Sequence, residues 1–201
     1  MRRKLENSPA REKLLERAQE LMLAKGFVAT TVDEICKAAG LTKGSFFHYF
    51  RNKEELGKAT LDRFVQAQLD VVGRGSFRKK PDPLDRLYGW VDSVIEASKS
   101  PLAQKGCLLG NFSQELSDTH PEIRSQCARR FSEWTDLLKK DLDEAKARHL
   151  PRSRLDSQSL AEHFIAVIQG SLILAKAKQD FSMVEKNLGH FKRYLESVFG
   201  K

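Results

Sequence analysis

Cysteine is scarce in this chain. Three occur among 201 residues, Cys36, Cys107 and Cys127. An odd and widely spaced set does not make a disulfide framework, so a reducing cytoplasm is the expected location. Long apolar runs are also missing. The longest, around Phe164 to Ala175, is interrupted by Gln169, Gly170 and Ser171, so no bilayer span and no membrane partner are expected. No basic start leads into an apolar run and a small-residue cleavage site, so no signal peptide is expected. The five histidines, His48, His120, His149, His163 and His190, are scattered with no close Cys/His ligand spacing. Neither a metal site nor a cofactor is therefore expected. A nucleophile elbow, a phosphate loop and a Glu-x-x-His pair are all absent, which argues against an enzyme.

What is present is charge. Lys and Arg number 35 against 27 Asp and Glu, a formal net charge of +8. Hydrophobic residues at 40% and charged residues at 31% suit a globular chain long enough to bury a core. The excess is uneven. Residues 1–53 hold eleven Lys/Arg and six Asp/Glu, net +5, and residues 54–201 hold 24 and 21, net +3. About a quarter of the chain thus carries most of a charge that suits an anionic partner.

Nearly every segment has helical periodicity. Ser8–Pro9 has the form of a cap followed by proline at the first helical position, and Leu14, Leu15, Ala18, Leu21 and Met22 repeat at helical spacing. Gly26 is a stop. Thr31 with Glu34 makes a capping box for a helix of about two turns that ends at Gly40. Thr42 caps a third short helix to about Phe50, and Asn52 caps a long fourth to about Val72. Gly73 to Pro83 is a breaker-rich loop. Helical patterns then run roughly over 83–99, 102–117, 121–148, 157–179 and 182–199. The expected fold is all-α, about nine helices, with no internal repeat.

Two short helices joined by Gly40-Leu41-Thr42 have the form of a helix-turn-helix, whose second helix lies in the DNA major groove. Phe46 and Phe50, four apart, share one side of that helix and should face inward. Lys43 and Phe47 share the opposite side, with Gly44 and His48 beside them. Thr42 and Ser45 lie near the helix start, where backbone N–H groups suit phosphate oxygens. Lys53, in the first turn of the next helix, is placed to reach a flanking phosphate. Arg2, Arg3 and Lys4 form a short basic arm.

The run GFVATTVDEICKAAGLTKGSFFHYFRNKEEL, Gly26 to Leu56, closely resembles the DNA-binding domain of the TetR (tetracycline repressor)/AcrR family. Glycines, caps, aromatics and Asn-Lys follow that pattern in order. The resemblance implies a helix-turn-helix domain over residues 1–53 and a helical ligand-binding and dimerisation domain over 54–201. It implies a ligand-responsive regulator, most often a repressor, that binds double-stranded DNA at a palindromic operator as a homodimer and is released by a small-molecule effector. Thr31, Thr42, Lys43, Gly44, Ser45, Phe47, His48, Tyr49 and Lys53 match the family's DNA-contacting positions. Phe47 departs from it, standing where tyrosine is usual, which removes a phosphate hydrogen bond and leaves apolar contact with sugar or a thymine methyl. In a dimer the two recognition helices would stand about 34 Å apart.

Leu160, Phe164, Val167, Ile168, Leu172 and Leu174 give one late helix a broad apolar surface, and Val184, Leu188, Phe191, Leu195, Val198 and Phe199 do so for the last. With the resemblance, Phe164, Ile168, Leu172, Leu188, Phe191 and Leu195 are expected at a four-helix dimer interface. Trp90, Cys107, Asn111, Phe112, Cys127 and Trp134 are candidate pocket residues, being apolar or soft with one amide among them. Two other readings stay open. One is an activator or architectural DNA-binding protein without an effector. The other is a thiol-based repressor sensing oxidants or electrophiles through Cys107 or Cys127, which requires a depressed pKa and access.

Overall fold

The computed structural model describes residues 8–200. The basic arm Arg2, Arg3 and Lys4 lies outside the described residues. Among those described there are nine α-helices, two short 3-10 helices and no strand. The helices are α1 (Pro9–Lys25), α2 (Val32–Ala39), α3 (Lys43–Tyr49), α4 (Lys53–Arg74) and α5 (Pro83–Ser98). After them come α6 (Leu108–Leu116), α7 (Pro121–His149), α8 (Ser157–Lys178) and α9 (Ser182–Phe199).

Local chemistry sets most helix ends. Thr31, Thr42, Asp82 and Asp156 each accept a hydrogen bond from a backbone amide in the first turn they cap. Asn52 does the same for α4, accepting from the Glu55 amide at 2.8 Å. Ser8 is an exception. Its hydroxyl makes no cap bond and instead pairs with the Tyr49 hydroxyl at 2.8 Å. The helical pattern over 102–117 also breaks. Ala103–Lys105 forms a 3-10 turn, Gly106 takes φ 102°, and α6 starts only at Leu108. That backbone region is open to glycine and costly for other residues.

The chain divides into two compact units. One runs to Gln68 and takes in Leu108–Ala128; the other holds Leu69–Cys107 and the chain from Arg129 onward. Packing thus groups α6 with the helix-turn-helix, although about 40 residues separate α6 from Gln68. In the first unit Leu14, Leu15 and Met22 of α1 are buried with Ile35, Phe46, Leu56, Leu61 and Phe112. Burying a side chain of this size contributes about 1.5–3 kcal/mol.

In the second unit α5, α7, α8 and α9 share a core that includes Leu84, Leu87, Leu142, Phe164, Leu188 and Leu195. One charge is buried there. Asp141 of α7 is 1% exposed. It accepts from Arg78, from Arg86 Nε at 2.8 Å and from Trp90 Nε1 at 3.1 Å. Two cations and an indole N–H compensate a carboxylate that would otherwise be costly to bury. By length and composition α8 alone among the described helices is apolar enough to cross a membrane. This differs from the expectation, because Gln169, Gly170 and Ser171 do not interrupt the helix. Leu160, Ala161, Phe164 and Ile168 turn its inner side into the core.

Candidate nucleic-acid interface

Thr31 and Glu34 begin α2 with a reciprocal capping box. The Glu34 amide donates to Thr31 Oγ1 at 3.3 Å, and the Thr31 amide donates to Glu34 Oε2 at 2.9 Å. Lys25 adds a bond to Glu34 Oε1 at 2.5 Å. That lysine, then the Thr31 amide and hydroxyl, pull the Glu34 carboxyl from 4.5 down to about 2. At the other end Gly40 takes φ 64°, ψ 35°, and the Leu41 amide reaches back to the Cys36 carbonyl at 2.9 Å. A left-handed residue here turns the chain at once into Thr42, which caps α3 by accepting from the Ser45 amide at 3.1 Å. Three residues therefore separate α2 from α3.

The faces of α3 divide by spacing. Phe46 and Phe50 are buried, which anchors the helix on the unit's core. Thr42, Lys43, Gly44, Phe47 and His48 are exposed, while Ser45 and Tyr49 are half-buried. Phe47 is 57% exposed although it is a large apolar ring, and an apolar group held in water on a short helix suits a partner surface. Lys43 pairs with Asp33 of α2 at 2.7 Å, both side chains 63% exposed. That bond raises the Lys43 ammonium above its ordinary value. An exposed pair is worth little, so a phosphate can displace Asp33. The exposed face can thus offer a cation, an imidazole, a small hydroxyl and an aromatic ring to a duplex.

Two of the expected DNA-contacting residues have partners within the chain. Lys53 Nζ donates to the carbonyls of Phe27, Val28 and Thr30 at 2.9, 3.2 and 2.9 Å. An ammonium has three donors, all engaged here, and burial lowers its pKa. Lys53 holds the turn before α2. The Tyr49 hydroxyl is engaged with Ser8. Arg51, which no motif singles out, is a further exposed cation. Its side chain is 89% exposed between α3 and α4, with Nε on Glu55 at 3.3 Å. Thr31 remains exposed, but its hydroxyl donates to Glu34 at 2.9 Å.

The six candidate pocket residues fall in different units. Asn111, Phe112 and Cys127 belong to the first, Trp90, Cys107 and Trp134 to the second. Phe112 is 1% exposed and packs edge-on against Phe27 at 5.6 Å. Trp90 is tied to Asp141. Trp134 is half-buried beside Phe131, and Asn111 is half-buried. Cys36, Cys107 and Cys127 are all buried, with no disulfide. Burial raises the Cys36 thiol.

The expected dimer residues divide between core and surface. Phe164, Ile168, Leu188, Phe191 and Leu195 are buried in the core of their own unit, and Leu172 is half-buried. Of these, Leu172 keeps exposed area and Phe191 also lines the groove between the two helices. The free apolar surface of α8 and α9 lies to one side. There His163, Val167, Gly170 and Leu174 face Asn187, His190 and Tyr194 across a shallow groove. Leu174 and Tyr194 are 45% and 48% exposed.

Two family models match the chain. "Bacterial regulatory proteins, tetR family" covers residues 14–60, and "Tetracyclin repressor-like, C-terminal domain" covers residues 83–191. The HTH-type transcriptional repressor DhaR of Mycobacterium sp. (strain GP1) is 29% identical over 96% of this chain and 91% of its own length. The HTH-type transcriptional repressor NemR of Escherichia coli (strain K12) is 28% identical over 92% and 93%. The crystal structure of regulatory protein TetR from Rhodobacter sphaeroides superposes with a TM-score of 0.82 at 28% identity, covering 92% of this chain and 98% of that one. With the exposed face of α3 behind its glycine turn, these matches establish that the chain belongs to the TetR family of bacterial regulatory proteins and is a helix-turn-helix transcriptional regulator.

Proposed function

We propose that the protein is a cytoplasmic repressor that binds a palindromic operator as a homodimer and leaves it when a small molecule binds. The observation that carries the DNA reading is the exposed row Thr42, Lys43, Phe47 and His48 on α3, anchored from behind by buried Phe46 and Phe50. Both relatives named above are HTH-type transcriptional repressors, which favours repression over activation. The groove between α8 and α9 favours pairing, because exposed Leu174 and Tyr194 gain cover only from another surface. Release follows from linkage. An effector that binds better to a form with the wrong half-site separation lowers operator affinity by that difference, typically about 1–3 kcal/mol.

Selection of duplexes from a random pool by the full-length protein tests this reading. Enrichment of an inverted repeat bound by two chains is the expected result. Uniform, steeply salt-dependent binding with no enriched sequence overturns it in favour of an architectural role.

A further inference from the structure

The turn between α1 and α2 is gripped from two sides by opposite charges. Glu115 of α6 accepts from the Phe27 amide at 2.8 Å and from the Val28 amide at 2.8 Å. Lys53 of α4 donates to the carbonyls of Phe27, Val28 and Thr30. The Phe27 ring lies beneath the Lys53 ammonium, 4.4 Å away, and packs edge-on against Phe112 of α6 at 5.6 Å. Gly26, at φ 88°, keeps the space clear, since a Cβ there would stand 2.9 Å from Glu115 Oε1. All these groups belong to one compact unit.

The turn is only partly open to water, Val28 being 64% exposed while Phe27 and Thr30 are buried, so the grip satisfies backbone groups there and orders the turn as well. What the grip fixes is the residue that follows. Thr31, directly after the held segment, caps α2, and α2 packs on α3. We propose that Glu115 is a positioning residue for DNA recognition: by holding two consecutive amides it sets where α2 starts, and so how α3 is presented to a duplex. This rests on the DNA-binding reading above. A carboxylate suits the task because it only accepts, one oxygen to each amide. Glutamine brings one acceptor and an NH2 group that opposes the second amide.

Charge gives the test its sign. Glu115 is an anion in the DNA-binding unit, so removing it should tighten binding to any duplex on electrostatics alone. Positioning requires the reverse for the specific duplex. The experiment compares full-length wild type and Glu115→Gln on the duplex enriched by the wild type and on a scrambled duplex of equal length, well below either melting temperature. The expected result is about a tenfold loss on the enriched duplex, with unchanged or tighter binding to the scrambled one. A lowered melting temperature with an unchanged ratio between the two duplexes makes Glu115 merely structural and overturns the proposal. Should Glu115→Gln not fold, Glu115→Asp keeps the charge but withdraws the oxygens by one methylene, and the same loss of ratio is expected. An unchanged ratio there overturns it equally. A wild type that enriches no duplex overturns the DNA reading, and this inference with it.

Discussion

The Lys53 ammonium stands 4.4 Å above the centre of the Phe27 ring and donates to the Phe27 carbonyl at 2.9 Å. Its remaining donors go to Val28 and Thr30. Lys53→Met keeps the stem over the ring and removes all three bonds. The expected cost is about 1–3 kcal/mol of stability. The salt slope of DNA binding should change by well under the one unit that a lost phosphate contact produces. Denaturant melts and a salt titration read the two effects separately. A full unit lost from the slope at unchanged stability would return Lys53 to the DNA backbone.

Lys43 is the opposite case. Its partner Asp33 is 63% exposed, so the pair adds little to the fold. Asp33→Asn should leave stability within about 0.5 kcal/mol. It should tighten binding to a scrambled duplex several-fold, with a salt slope steeper by up to about one phosphate equivalent. Titration at several salt concentrations reads this directly, and an unaltered slope would mean that Lys43 does not meet the duplex.

What was legible in the sequence is local chemistry. The capping box Thr31–Glu34, the glycine at position 40 and the pair Phe46–Phe50 act within four residues, so spacing alone placed α2, the turn and α3. Contacts across the chain were not legible. Nothing near Lys53 announces that its acceptors lie 23 to 26 residues earlier, and nothing near Glu115 announces amides 87 and 88 residues away. The dimer residues were legible only in part, for a different reason. α8 and α9 are apolar on more than one side, so periodicity found a surface without saying which part the chain covers itself. Phe164 and Leu188 went inward, while Leu174 and Tyr194 stayed out.

Acid should loosen the reading head through Glu34. Its folded pKa is depressed from 4.5 to about 2, chiefly by the Lys25 hydrogen bond and then by the Thr31 amide and hydroxyl. A depressed carboxyl contributes stability that is fully present above the unfolded value and is lost as pH falls through the folded one. The window is therefore about pH 4.5 down to about 2. Melting temperatures of wild type and Glu34→Gln should differ at pH 6 and converge towards pH 2. A gap that stays constant across that range would assign the stabilisation to something other than the charge.

Core and pairing surface can be separated by two substitutions on neighbouring helices. Leu188 of α9 is fully buried in its own chain, so Leu188→Ala should cost about 2–5 kcal/mol through lost packing and the cavity left behind. Leu174 of α8 is 45% exposed at the groove that Tyr194 also lines. Leu174→Glu places a charge on open surface in a single chain, which is cheap, but at the centre of an apolar contact in a pair, which is costly. Light scattering at micromolar concentration should find Leu174→Glu monomeric, with its far-ultraviolet helix signal intact, and its operator affinity should fall because one chain reads only one half-site. A Leu174→Glu protein that still pairs would place the partner surface away from this groove. A Leu188→Ala protein that lost pairing at unchanged stability would return the interface to the residues found in the core.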